Sequence, residues 1–160
     1  MKGAARIALC AAVAMIAAPL AAAGASQPFY LGTWKLTRAV KAPWADPAYP
    51  LDPSEPSRLL GKTLAFKAKA IDGPQPFTCR GPHYKLERFT ADLIFQGAFG
   101  EMQLKDKRVD PARIAASLGF PATNIRTLET GCEFDFHFID AATAETGLND
   151  YVYTLTKQRP

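Results

Sequence analysis

Four residues in this chain have the chemistry of a metal site on paper: Cys79 with His83 four residues on, and Cys132 with His137 five residues on. Two cysteines and two imidazoles are a tetrahedral zinc set. Strand geometry opposes that assembly. If the stretch from Cys132 to His137 is extended, an odd offset sends the two side chains to opposite faces, and one metal cannot collect both. Glu133, Asp135 and His137 share the other parity of the same stretch. A carboxylate beside an imidazole can orient a general base, which makes a hydrolase-type activity on the His137 face one reading. A solvated sheet face has the same pattern, and no G-x-S-x-G elbow supplies a nucleophile. His83, after Pro82, reads as a surface residue. Lys62-Thr63 follows Gly61, but the second glycine of a phosphate loop is missing. The reading is therefore non-catalytic, with no metal and no cofactor.

The cysteines are best understood through the first twenty-five residues. Lys2 and Arg6 precede a run from Ile7 to Leu20 that is apolar or small, and Ala23-Gly24-Ala25 satisfies the small-x-small rule of a signal peptidase site. The run is short for a membrane span, and Pro19 breaks it near its end. The pattern predicts a cleaved signal peptide over 1–25, a single domain over 26–160, and a periplasmic or secreted protein. Cleavage removes Cys10, leaving Cys79 and Cys132 as an even pair that reads as a disulfide in an oxidising compartment. It also removes Lys2 and Arg6 from the nineteen basic residues, leaving seventeen against fifteen acidic, a net +2. That balance argues against nucleic acid as a partner, and no second apolar run is long enough for a stable membrane span.

The elements that must position these residues are mostly strands. Alternation predicts strands over 29–40, with Trp34, Leu36 and Val40 on one face, and over 63–70, with Leu64 and Phe66 inward. Residues 83–89 and 91–96 are further strand candidates, and 99–105 a weaker one. Residues 132–139 place Phe134, Phe136 and Phe138 on one side. Residues 151–157 place Tyr151, Tyr153 and Leu155 together. Residues 141–150 read as a loop. One helix is marked over 110–119 by an Asp110 N-cap, Pro111 at the first helical position, Gly119 as closing residue and Pro121 beyond it. Residues 41–56 hold five prolines with Trp44 and Tyr49. They read as an irregular excursion, either pinned by its own aromatics or presented as a partner-binding loop. Seven or eight short strands with one short helix predict a mainly β protein, an antiparallel barrel or strongly curved sheet.

Gly32-Thr33-Trp34 on the first strand, soon after a leader, resembles the lipocalin-like (calycin) barrels. The resemblance implies that Trp34 packs at the closed end of a barrel. It also implies that a basic residue after the last strand, Lys157 or Arg159, lies across its ring, a contact worth about 0.5–2 kcal/mol. The stretch Thr127-Leu128-Glu129-Thr130-Gly131-Cys132 is similar to bacterial secreted proteins of no assigned activity. A binding barrel would take a small apolar ligand in an interior lined by Trp34, Leu36, Phe66, Phe134, Phe136, Phe138 and Tyr153. The alternative partner is a secreted hydrolase, a lysozyme or protease, inhibited through the 41–56 loop with Trp44 and Tyr49 at its surface.

Overall fold

The computed structural model describes residues 27–121 and 123–159, so the signal peptide expected over 1–25, with Cys10, lies outside the described residues. The chain runs β1 (Gly32–Lys41), α1 (Ser54–Leu59), β2 (Thr63–Lys67), β3 (Ala70–Asp72), β4 (Cys79–Arg80) and β5 (Lys85–Phe89). After a tight turn at Phe95–Gly97 come α2 (Ala98–Lys105), α3 (Pro111–Ser117), β6 (Ile125–Glu129), β7 (Phe136–Phe138), β8 (Thr143–Leu148) and β9 (Tyr151–Lys157). The nine strands form one antiparallel sheet in the order β4-β3-β2-β1-β9-β8-β7-β6-β5, curled into a half-barrel. Each strand pairs with its sequence neighbour except β4 with β5, and β1 pairs with β9. This is an up-and-down meander joined through its first and last strands and left open between β4 and β5.

The opening is laced. A Cys79–Cys132 disulfide ties β4 to the bend after β6. The His83 N–H donates to the Thr130 carbonyl at 2.8 Å, and the Tyr84 hydroxyl donates to the Lys67 carbonyl at 3.0 Å. The crossing segment thereby ties the two open sides of the sheet together.

Alternating residues fill the concave face. Trp34, Leu36, Leu64, Phe66, Phe136, Phe138, Tyr153 and Leu155 form one buried cluster, onto which Leu59 of α1, Phe77 and the 29–31 segment close. The convex face is covered in part: α2, α3 and the 91–97 segment set Ile94, Phe95, Phe99, Ala115 and Phe120 against Ile125 and Val152, while Lys35 of β1 and Thr63 and Lys67 of β2 stay exposed. The sheet is thus packed on both sides only beneath those helices.

That second layer explains where the observed elements differ from the alternation read in the sequence. The register of β1 against β9 shifts between Leu36 and Arg38, a bulge that reverses the parity downstream. Val40 therefore packs on the convex cluster, opposite Trp34 and Leu36, and not beside them. Residues 63–70 are not one strand: Lys67 pairs with Ala70, so Ala68-Lys69 is a two-residue hairpin turn. Residues 91–96 are turns, not a strand. Residues 98–105 are helix, since Phe99 and Met102 at a three-residue spacing face the convex core. The 110–119 helix is present as α3, its Asp110 carboxylate accepting from the Ala112 and Arg113 N–H groups and Gly119 following at φ 95°. Among the described residues it is one of three α-helices, α1 arising at the end of the proline-rich stretch. Residues 141–150 contain β8 and its two-residue turn to β9 at Asn149-Asp150, with Asn149 at φ 49°.

Candidate functional site

The aromatic interior expected to hold a ligand is packed ring on ring. Trp34, Leu36, Phe66, Phe136, Phe138 and Tyr153 are each at most 4% exposed. Edge-on contacts run Trp34–Phe138 at 5.7 Å, Trp34–Phe66 at 6.3 Å and Phe66–Phe136 at 4.8 Å between centroids. Lys157 stands opposite Trp34 in the ladder, its ammonium 5.6 Å from the indole centroid and donating to the Phe29 carbonyl. Arg159 is exposed and makes no such contact. Phe134 departs from the other six: it lies before β7, half-buried, its ring tilted 58° to that of Phe77 with centroids 4.8 Å apart, and it lines a second space.

That space exists because β7 and β8 pair over two positions only, His137 with Glu145 and Phe138 with Ala144. Beyond them β8 continues along β9 to Leu148, while the chain before Phe136 bends away. The sheet splits, and the Thr146 hydroxyl bridges the split by donating to the Asp135 carbonyl at 2.8 Å. The result is a cleft of about 170 Å³, walled by Trp44, Phe95, Phe134, Asp135, Thr146 and Gly147. A second groove, between residues 43–47 and α2, shares Trp44 and Ala98 with it.

Each wall is held by named bonds. Trp44 is not a free loop residue: its indole N–H donates to the Asn149 carbonyl at 2.8 Å, and its ring packs on Phe95 and Phe99. Gly147 permits this, since a Cβ there would sit 3.0 Å from the indole and 3.3 Å from the Phe95 ring. The far end of the loop is tied by the Tyr151 hydroxyl donating to the Asp52 carbonyl at 3.1 Å, and by Glu55, which accepts from the Tyr153 hydroxyl at 2.8 Å and from the Asn149 amide. Tyr49, between these anchors, is 70% exposed. Opposite Trp44, Phe95 and Gln96 both adopt left-handed backbone, φ 51° and 58°. Non-glycine residues in that region store strain, typically of order 1–3 kcal/mol each, and such strain concentrates at functional sites. Two hydrogen bonds retain it: the Phe95 N–H donates to His137 Nε2 at 2.8 Å, and the Gln96 amide donates to the Glu133 carbonyl at 2.8 Å.

The same bond defines the imidazole. Because Nε2 accepts, the proton sits on Nδ1, which then donates to the Thr127 hydroxyl at 2.9 Å. His137 is 1% exposed, and burial pushes its pKa down to about 3. Of the face read as solvated, Glu133 is exposed, Asp135 half-buried and His137 covered; both ring nitrogens of the neutral His137 are engaged, so the ring positions Phe95. Glu145, across the ladder, is 2% exposed. Burial pushes its carboxyl up to about 7 against smaller opposing effects of the Thr154 hydroxyl bond and the Arg38 charge, and its Oε2 has no hydrogen-bond partner. Asp135 is half-buried at the cleft wall. Burial raises its pKa, a backbone hydrogen bond from Thr130 opposes that, and Glu129 adds repulsion. The disulfide joins the two cysteines to each other, and His83 is exposed at the lacing segment.

The split in the sheet had no signature in the sequence, because it depends on where β7 ends relative to β8. The left-handed Phe95-Gln96 pair was equally hidden. The one local signal was Asn149-Asp150, a two-residue hairpin turn that would have revealed β8. Compared with protein-family models, curated proteins and solved structures, the chain matches none.

Proposed function

We propose that this is a non-catalytic binding protein of the periplasm or extracellular space, a lipocalin-like half-barrel that contacts its ligand at the Trp44 cleft and not inside the sheet. The cleft itself carries the reading: a pre-formed concavity whose aromatic and polar walls are fixed by hydrogen bonds and strained backbone. Such sites bind at low ordering cost. The packed interior supports it by leaving the aromatic core to stability. The meander joined through β1 and β9, the Lys157–Trp34 contact and the disulfide support the lipocalin-like and extracytoplasmic parts of the reading. No helix among the described residues is long and apolar enough to cross a membrane. The test is amide NMR during titration with an apolar dye and with periplasmic extract fractions. The expected result is shifts at Gly147, Asn149 and the Trp44 indole, abolished in Trp44→Ala. Saturable dye binding reported by the Trp34 indole would overturn it in favour of an interior cavity.

A second reading, a hydrolase inhibitor, is favoured by one observation: Tyr49 is presented bare between two anchored loop ends. A Tyr49→Ala variant should then lose inhibition of a lysozyme or protease that the wild-type protein inhibits, with an unchanged melting temperature.

A further inference from the structure

The charge pattern of the cleft goes beyond its existence. Neither lysine nor arginine lines it, His137 at its base is held neutral by its two hydrogen bonds, and Asp135 is the one acidic residue in its lining. Among the described residues Asp135 has no ion-pair partner. Its carboxyl is half-buried, burial raises its pKa, and a cation seated beside it would favour the charged form. Three aromatic rings, Trp44, Phe95 and Phe134, share the same small space, and aromatic faces attract cations through their quadrupoles. About 170 Å³ is below the size usual for drug-sized ligands, roughly 300–1,000 Å³, and suits a single side-chain-sized group.

We propose that the Trp44 cleft is an alkylammonium site, in which Asp135 supplies the counter-charge and Trp44, Phe95 and Phe134 enclose the alkyl and N-methyl or N–H groups. This rests on the cleft being the binding surface and assigns its ligand chemistry. The ammonium can belong to a free amine or to a lysine side chain of a protein partner, whose flanking backbone would follow the groove beside residues 43–47. The same lining offers a phosphate, carboxylate or other anion no lysine or arginine to pair with.

The experiment is titration of the purified, disulfide-bonded protein followed by amide and indole NMR. The probes are choline, its uncharged isostere 3,3-dimethylbutanol, and a short blocked peptide with one central lysine. Choline or the peptide should give saturable shifts at Gly147, Asn149 and the Trp44 indole. Asp135→Asn should raise the dissociation constant about tenfold or more while retaining the wild-type melting temperature. Phe95→Leu, with its fold checked by circular dichroism, gives an independent loss. Tighter binding of choline identifies a free amine as ligand; tighter binding of the peptide identifies a partner lysine. If 3,3-dimethylbutanol binds as well as choline, the cleft remains a binding site and the ammonium assignment is overturned. Unchanged affinity in Asp135→Asn, or shifts that map elsewhere, also overturns it. Failure of all three probes overturns it too, while the broader reading still answers to the extract titration.

Discussion

Glu145 and His137 face one another across β7 and β8 with opposite protonation problems, and replacing Glu145 by Gln separates them. Burial raises the Glu145 carboxyl from an ordinary 4.5 to about 7, and lowers His137 from 6.5 to about 3. A raised folded-state pKa stabilises fully below the unfolded value and loses that contribution as pH climbs to the folded one, here between 4.5 and 7. A lowered pKa does the reverse, so His137 weakens the fold progressively as pH falls from 6.5 towards 3. Between pH 4.5 and 6.5 the folded state holds one extra proton on Glu145 and one fewer on His137. The two slopes cancel, and the pair leaves wild-type stability flat across that window. Glu145→Gln keeps a polar group facing Thr154 but removes one slope. Two units at 1.36 kcal/mol each make the variant gain about 3 kcal/mol from pH 4.5 to 6.5 relative to the wild-type profile. Urea unfolding followed by circular dichroism, disulfide intact, reads this as a shift in midpoint at constant slope. Surface carboxylates titrate identically in both proteins and drop out of the difference. Profiles that stay parallel within about 0.5 kcal/mol from pH 4.5 to 7 would refute the reasoning.

Further outcomes follow from the same structure. The Cys79–Cys132 bridge spans 53 residues, so Cys79→Ser with Cys132→Ser should cost about 4 kcal/mol by chain entropy; a loss under 1 kcal/mol in urea melts would show that the β4–β5 lacing holds without it. Lys157→Met should cost about 1 kcal/mol through the lost indole contact and the freed Phe29 carbonyl, while Arg159→Met should be silent in the same melts. His137→Ala should lower stability by several kcal/mol, roughly 2–4, by orphaning the Phe95 N–H and opening a void, so thermal melting separates this positioning role from a catalytic one. Gly147→Val should push Trp44 off β8 at about 1–3 kcal/mol, and the displaced indole should show as a red-shifted fluorescence component.

Much of the half-barrel is legible one strand at a time. Trp34 and Leu36, Leu64 and Phe66, Phe136 and Phe138, and Tyr153 and Leu155 alternate with polar neighbours, and period two in a strand is a local consequence of the pleat. Asp110, Pro111 and Gly119 likewise mark α3, because capping involves only neighbouring backbone. Pairing of Cys79 with Cys132 follows from their being the two cysteines after residue 25, once the compartment is taken as oxidising. Mainly β class, a curled sheet and one disulfide were all within reach of the amino-acid order.

Tertiary structure alone decided what lies on the outside of that sheet. Glu133, Asp135 and His137 carry the periodicity of a wet face, yet His137 is buried because α2, α3 and residues 91–97 fold across it, a long-range packing event that alternation cannot encode. Segment 98–105, interrupted by Gly100, and segment 143–148, which mixes Thr, Ala and Gly with Glu145, have weak intrinsic preferences, so the neighbours they pack against chose helix for one and strand for the other. The cleft belongs wholly to this second category. It forms where β7 stops short of β8, under a tryptophan ninety residues and more away in sequence, on a Phe95-Gln96 backbone that only hydrogen bonds to His137 and Glu133 hold left-handed. Local chemistry chooses which face of a strand is apolar; the arrangement of whole elements determines which apolar and charged groups share a space small enough to bind something.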